Sequence, residues 1–364
     1  MKKLRVKGVF VRLMILIVGV VFVFVVSKIN FDKGNELQQI YGSFIGQKSP
    51  YNGMIEVWNI DSFESGLKSK VSYLENVARK FQSKNKGVYV MVRNLTIGEC
   101  ENSLISGNFP DMISCSYGFC DKLKEYFVPF SNYDFDVFEN FLNAGKGKNG
   151  ELYGLAWCFG FYSLISTKSK LEKANQKFED VKLNEIAFDS GYKYKSGKKE
   201  RESKSLVFGV GDYLMPKNAL NAYNKSRSIQ INETSENELQ FKSQYSAYTS
   251  FLSNDATILL GTQRDVFRMM NREEKAKVRD VVYLPILEWT DLIQFSFLCK
   301  NDNLKRKEMA EKFAEFLVEK GNQEKIEEIG LLSVCDVQSV NLKGVMRDIT
   351  PQKFKNSELQ GVFL

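Results

Sequence analysis

Apolar residues recur along this chain in short, punctuated runs whose spacing predicts alternating strands and helices. Met54-Ile55-Glu56-Val57-Trp58 reads as a strand, followed by the loop Asp61-Ser62-Phe63-Glu64-Ser65-Gly66. A helix is predicted over 68–84, because Val71, Leu74, Val77, Ala78 and Phe81 share one face at helical spacing. Asn85-Lys86-Gly87 closes it with a position open to left-handed backbone. Val88-Tyr89-Val90-Met91-Val92 is the next strand; a short helix and a third strand, Pro110-Asp111-Met112-Ile113-Ser114, continue the alternation. Such strand–helix–strand units build parallel sheets through right-handed crossovers. In open α/β sheets ligands sit beyond the carboxyl ends of the strands, here 59–64 and 114–118.

Farther along, residues 193–205 and 224–240 are polar, and the first stretch, dense in Lys and Glu, is expected to be a solvated loop. A helix is predicted over 305–317, with Met309, Phe313, Phe316 and Leu317 on its apolar face. The longest apolar run, Leu13 to Val26, follows a basic stretch and predicts an export signal or an uncleaved anchor over 1–30. A polar tether is expected over 31–52. The flanking positive charges place the remainder of the chain outside the membrane.

Charge and composition narrow the functional classes. The formal charge is +7, but residues 1–33 hold seven basic residues against Asp32 alone, which leaves a nearly neutral body. A nucleic-acid binder spreads its basic residues over the folded surface, so that class is set aside. The sequence contains no histidine, which removes Ser-His-Asp and Cys-His catalysis and histidine-based zinc sites. No GxxxxGK[ST] motif for nucleotide hydrolysis is present. Carboxylate-only hydrolysis survives this exclusion. The six cysteines form no CxxC pair and are expected to be mostly free, buried thiols. A length of 364 residues exceeds one ordinary core and fits two lobes.

Several stretches, in order, resemble the family 1 extracellular solute-binding proteins, the oligosaccharide- and maltose-binding branch of the type II periplasmic-binding fold. They are Trp58-Asn59-Ile60-Asp61 with the helix ending in FQSKNKGVYV, then SGNFPDMISCS, then GKNGELYGLAWCFGFYSLISTKSKLEKA. YTSFLSNDATILLGTQRDVFRMM, VVYLPILEWTDLIQFSFLCKND and KRKEMAEKFAEFLVEKGNQEKIEEIGLLSV complete the series. Ala156 stands where the family has a proline, Ile165-Ser166-Thr167-Lys168 replaces its Tyr-Asn-Lys, and no lipobox cysteine precedes Cys100.

The resemblance implies an α/β chain of two lobes, 53–162 plus 284–328 and 163–283 plus 329–364, joined by crossings near 161–168, 281–286 and 328–335. It implies capture of a small ligand, a carbohydrate, by a monomer that delivers it to an ABC permease, with no cofactor, metal or catalytic residue. Sugar sites pair aromatic faces with planar polar groups. The candidates are Asp61, Glu64, Ser116, Tyr117, Trp157, Gln263, Arg264, Asp265, Trp289 and Asp291, with Trp58 and Thr290 beside them. Ordinary alternatives stand beside them: a core role for the tryptophans, helix capping for Asp61 and Glu64, a plain surface-loop role for Ser116 and Tyr117, an interlobe ion pair for Arg264. Two other functions stay open, a membrane-anchored sensor or adaptor and a glycoside hydrolase using Asp61, Glu64, Asp265 or Asp291.

Overall fold

The computed structural model describes residues 51–174, 192–209, 211, 214–227, 240–338 and 348–362. The expected export or anchor segment and nearly all of the tether lie outside the described residues, as does most of the polar stretch 224–240. Among the described residues no helix is long and apolar enough to cross a membrane.

The chain opens with β1 (Gly53–Asn59), α1 (Lys70–Lys84), β2 (Val88–Asn94), α2 (Ile97–Ile105), β3 (Met112–Cys115), α3 (Tyr117–Leu123), β4 (Phe127–Val128), α4 (Glu139–Ala144) and β5 (Gly154–Phe159). It continues through β6 (Tyr162–Thr167), α5 (Lys168–Lys173), β7 (Tyr192–Ser196), β8 (Lys199–Gly209), α6 (Pro216–Ser226), β9 (Gln240–Lys242), α7 (Gln244–Leu252), β10 (Ala256–Thr262), α8 (Gln263–Glu274) and β11 (Val281–Pro285). The last elements are β12 (Trp289–Thr290), β13 (Ile293–Cys299), α9 (Leu304–Val318) and β14 (Glu358–Leu359).

Two mixed sheets result. The first runs β2-β1-β3-β13-β4, with β5 also paired to β13. Its β1 is parallel to β2 and β3, whereas β13 is antiparallel to its neighbours. The second runs β11-β6-β10-β8-β7, with β9 on β8. The sheet order places a strand from late in the chain, β13, inside the first lobe, so the chain leaves that lobe and returns.

Local sequence explains the elements. Ser69 starts α1, its hydroxyl accepting the Ser72 N–H at 3.2 Å. Leu74, Val77, Ala78 and Phe81 are buried beneath it, and a fully buried Leu, Val or Phe contributes roughly 1.5–3 kcal/mol. Helix α9 packs onto the same side of the sheet, with Phe313 and Phe316 against Phe81.

Residues 193–205 form no loop. They lie in the β7–β8 hairpin, turned at Gly197 with φ +63°. The charges that suggested a loop sit directly opposite their counterparts, Lys193 across from Glu202 and Lys195 from Glu200. Opposite-charge pairs at facing positions stabilise such a ladder.

The lobes meet at three bonded segments. The first crossing is Phe159 to Tyr162, shorter than expected, because 162–167 already belongs to the second sheet. The return spans 286–292, since 281–285 pairs with β6 from Val281↔Thr167 to Pro285↔Ser163. Gly160 N–H donates to Leu292 O at 2.7 Å, and Ile286 N–H to Tyr162 O at 2.8 Å. Phe159 and Leu332 exchange backbone bonds of 3.0 and 2.8 Å and bring in the third segment. The C-terminal residues return here as well: β14 pairs with β12, and Phe354 packs 5.1 Å from Phe159.

Candidate functional site

The loop after β1 is built around a buried lysine. Lys70 is 1% exposed, and its Nζ donates to Asp61 Oδ1 at 3.0 Å and to the Phe63 carbonyl. The same ammonium lies 3.9 Å from the Phe63 ring centroid. A buried ammonium needs such partners, and satisfying it fixes the path of 61–66. Asp61 and Glu64 do not cap α1; Ser69 does. Glu64 instead reaches the other lobe. Its carboxylate lies 2.6 Å from Arg264 Nε and 3.5 Å from Arg268 Nη2, and its carbonyl accepts from Gln263 Nε2 at 2.8 Å. Glu64 is 50% exposed and Arg264 33%.

Beside this contact the backbones come too close for any side chain. A Cβ on Gly66 would stand 2.2 Å from the Phe267 ring of α8 and 2.8 Å from Gly330 O. Gly66 N–H and Leu67 N–H donate to Gly330 O and Ile329 O at 3.2 and 2.9 Å. One loop of the first lobe therefore touches both α8 and the third crossing segment.

At the tip of β3, Ser116 is buried and its hydroxyl has no hydrogen-bond partner among the described residues. Tyr117 is half-buried; burial raises its phenol, with Asp121 adding to the effect. Beneath them lies a polar layer. Gln294 Nε2 donates to Ser114 Oγ at 3.0 Å and Ile60 O at 3.1 Å, and Trp157 Nε1 donates to Ser114 Oγ at 3.2 Å. Trp157 is fully buried, stacked on Tyr73 at 5.5 Å. Trp289 is buried as well, stacked on Tyr162 at 6.4 Å, and Trp58 is buried in the first lobe.

The second lobe presents the start of α8. Gln263 is fully buried, its N–H bonded to Phe161 O at 3.0 Å, and its Oε1 has no partner among the described residues. A Cβ on Gly160 would lie 2.3 Å from that oxygen, so the crossing presses directly on this side chain. Asp265 accepts the Thr262 N–H at 3.2 Å and pairs with Arg268 at 3.1 Å. Burial raises its carboxyl, while the Thr262 N–H and Arg268 pull it down.

Asp291 lies on the return segment. It accepts the Tyr162 hydroxyl at 2.9 Å and the Met215 N–H at 2.6 Å. Burial pushes its carboxyl up to about 6 despite both bonds. Thr290 Oγ1 donates to Gly160 O at 3.0 Å. These two side chains tie the return segment to the first crossing and to the second lobe.

The structure thus brings together Glu64, Gln263 and Arg264 at the lobe junction, and places Ser116 and Tyr117 at the tip of β3. All four carboxylates considered for hydrolysis have protein partners: Lys70 for Asp61, two arginines for Glu64, and the bonds above for Asp265 and Asp291. Sequence reasoning missed Arg268 and Lys70. The i,i+4 spacing of Arg264 and Arg268 put both on one helix face and was the available signal; nothing local marked Lys70 as buried. Among the described residues no cluster of acidic or cysteine side chains is placed to hold a metal, and all six cysteines are buried and free.

The sequence matches no protein-family model and no curated protein. Solved structures do match. The GacH receptor of Streptomyces glaucescens, solved unliganded and with acarbose, shares 14% identity at a TM-score of 0.56, covering 85% of this chain and 88% of that one. The spermidine/putrescine ABC transporter substrate-binding protein PotD of Streptococcus pneumoniae shares 12% at 0.53, covering 85% and 93%. The sugar-binding protein MalE of Xanthomonas citri shares 12% at 0.53, covering 78% and 79%. The chain therefore has the two-lobed α/β fold of the type II periplasmic-binding proteins.

Proposed function

We propose that this chain is an extracytoplasmic solute-binding protein. It captures one small ligand between its lobes without chemical conversion and presents it, as a monomer, to an ABC-type importer in the membrane. The N-terminal apolar run holds the protein at the membrane or directs its export. The observation that carries this reading is the pairing of strand tips from separate sheets across polar contacts. Ser116 on one lobe and Gln263 on the other each retain a buried polar atom without a protein partner among the described residues. An unpaired buried polar group costs about 1–3 kcal/mol, and a ligand able to hydrogen-bond removes that penalty. Closure around the ligand is then a population shift toward the state in which both lobes touch it.

The ligand proposed is a carbohydrate. Hydroxyls both donate and accept, and so suit Gln263 Oε1, Ser116 Oγ and the Arg264 guanidinium together. With the tryptophan rings buried, Tyr117 is the candidate aromatic contact. Acarbose bound to GacH and the sugar-binding MalE support the sugar class, while the fold also accommodates the spermidine/putrescine protein PotD. Isothermal calorimetry with maltotetraose and spermidine, followed by chromatography of the mixtures, tests the reading. One-to-one heat with maltotetraose and no product is expected. Binding of spermidine alone removes the sugar assignment, and steady product formation removes the capture assignment.

A further inference from the structure

The first lobe carries a cavity that the capture reading does not use. Its volume is about 400 Å³, and it is lined by Phe109, Glu125, Tyr126, Lys300, Asn301 and Asp302. Topology places it far from the lobe junction. Strand β13 is antiparallel to both β3 and β4. The residue ahead of β3, those ahead of β4 and those after β13 therefore share one pole of the sheet, opposite Ser116 and Tyr117. From Phe109 to Ser116 is seven residues, on the order of 20 Å at the rise of extended chain.

Two aromatic rings stand at this cavity. Phe109 and Tyr126 have centroids 5.8 Å apart and are tilted by 42°, and Phe109 is 46% exposed. Exposed aromatic surface grouped with polar residues around a concavity is a mark of binding. The rim is held in place before any ligand arrives. Lys300 N–H donates to Tyr126 O at 2.9 Å, and Asn301 Nδ2 donates to the buried Asp111 at 2.7 Å. Asp111 is fixed in turn by the Glu56 N–H at 2.8 Å and by Arg306 at 2.6 Å. A rim fixed in this way loses little entropy on binding.

The lining selects the ligand class. Two carboxylates, Glu125 and Asp302, oppose an anion, and the Lys300 ammonium in the same wall opposes a compact cation. A neutral ring with an apolar face and hydroxyl edges meets neither objection. Its C–H face suits the aromatic pair, and its hydroxyls suit the carboxylates, amide and ammonium. We infer that this cavity at the far pole of the first lobe is a second, independent carbohydrate site. It needs no lobe closure, so it is open in every state of the hinge. A glycan held there raises the local concentration of its other units near the protein.

Saturation-transfer NMR on the full chain tests this with glucose, maltotetraose and N-acetylglucosamine as probes and putrescine as the cationic control. Phe109→Ala removes the half-exposed ring with little demand on the fold, and Asp302→Asn removes one hydroxyl acceptor. Either substitution is expected to weaken the sugar contact at this far-pole cavity about tenfold, equivalent to about 1.4 kcal/mol, while Gln263→Ala leaves it unchanged. The inference is overturned if no probe sugar contacts the protein outside the cleft, if both pole variants bind as wild type does, or if putrescine alone occupies the pole. Loss of binding only in Gln263→Ala also overturns it, and leaves the capture reading intact.

Discussion

Replacing Glu64 with glutamine isolates the contact that joins the lobes. The substitution keeps size and hydrogen-bonding capacity but removes the charge facing Arg264 at 2.6 Å and Arg268 at 3.5 Å. Both pairs are partly exposed, so each is worth about 0.2–1 kcal/mol, and together roughly 1 kcal/mol. If the pair forms only when the lobes are closed, that energy bears on the open–closed balance. At 25 °C about 1 kcal/mol shifts the ratio about fivefold toward open.

Spin labels at Lys86→Cys and Lys277→Cys, one exposed position on each lobe, report the balance by pulsed EPR. Selective labelling is helped by the buried native thiols; burial pushes Cys100 and Cys335 up to about 12. The expected result is a longer mean interlobe distance in Glu64→Gln at low salt. The difference should shrink at about 1 M salt, where the screening length is only about 3 Å. Unchanged distances at both salt concentrations, with melting temperature intact, would refute the argument, because the pair would then carry no hinge energy.

Other consequences follow from the same contacts. In Asp291 the folded carboxyl titrates above its unfolded value, so the folded state binds more protons between about pH 4 and 6. Stability from this group therefore falls as pH rises through that window, by up to about 3 kcal/mol; Asp291→Asn should flatten this slope in urea melts at about pH 4–7, and an unchanged slope contradicts the assignment. Lys170 is buried with its Nζ on the Phe251 and Ala256 carbonyls, and burial lowers it to about 7. The unfolded chain binds its proton up to about pH 10, so wild-type stability gains from this group as pH rises from about 7 to 10. Lys170→Met should remove that gain in paired melts, and parallel curves would count against it. Gly66→Ala should destabilise by about 1–3 kcal/mol through overpacking on Phe267, with recovery in Gly66→Ala/Phe267→Ala measured by denaturant midpoint; no recovery would locate the strain at Gly330 instead.

How much was legible in the sequence differs between fold and site. The opening β1-α1-β2 unit was readable because its apolar positions obey one period, and Leu74, Val77, Ala78 and Phe81 are buried as that period requires. Helix α9 was readable for the same reason. The β7–β8 hairpin was not, because its charged residues face one another across two strands, and composition cannot reveal a cross-strand partner. At the site, Arg264 could be named, but its pairing with Glu64, far earlier in the chain, depends on how two sheets meet. Lys70 escaped because burial of its ammonium is decided by the Phe63 carbonyl and Asp61 folding back over it. Trp157 has the residue type of a sugar platform; its stacking partner Tyr73 belongs to α1, a contact no local pattern encodes.

The most direct measurement is fluorescence energy transfer between dyes at Lys86→Cys and Lys277→Cys during titration with maltotetraose. Two lobes that close on a captured sugar predict a saturable rise in transfer that is complete at one equivalent and reverses when the sugar is dialysed away. Binding heat with constant transfer would contradict it, since the ligand would then be held without the lobes moving toward each other.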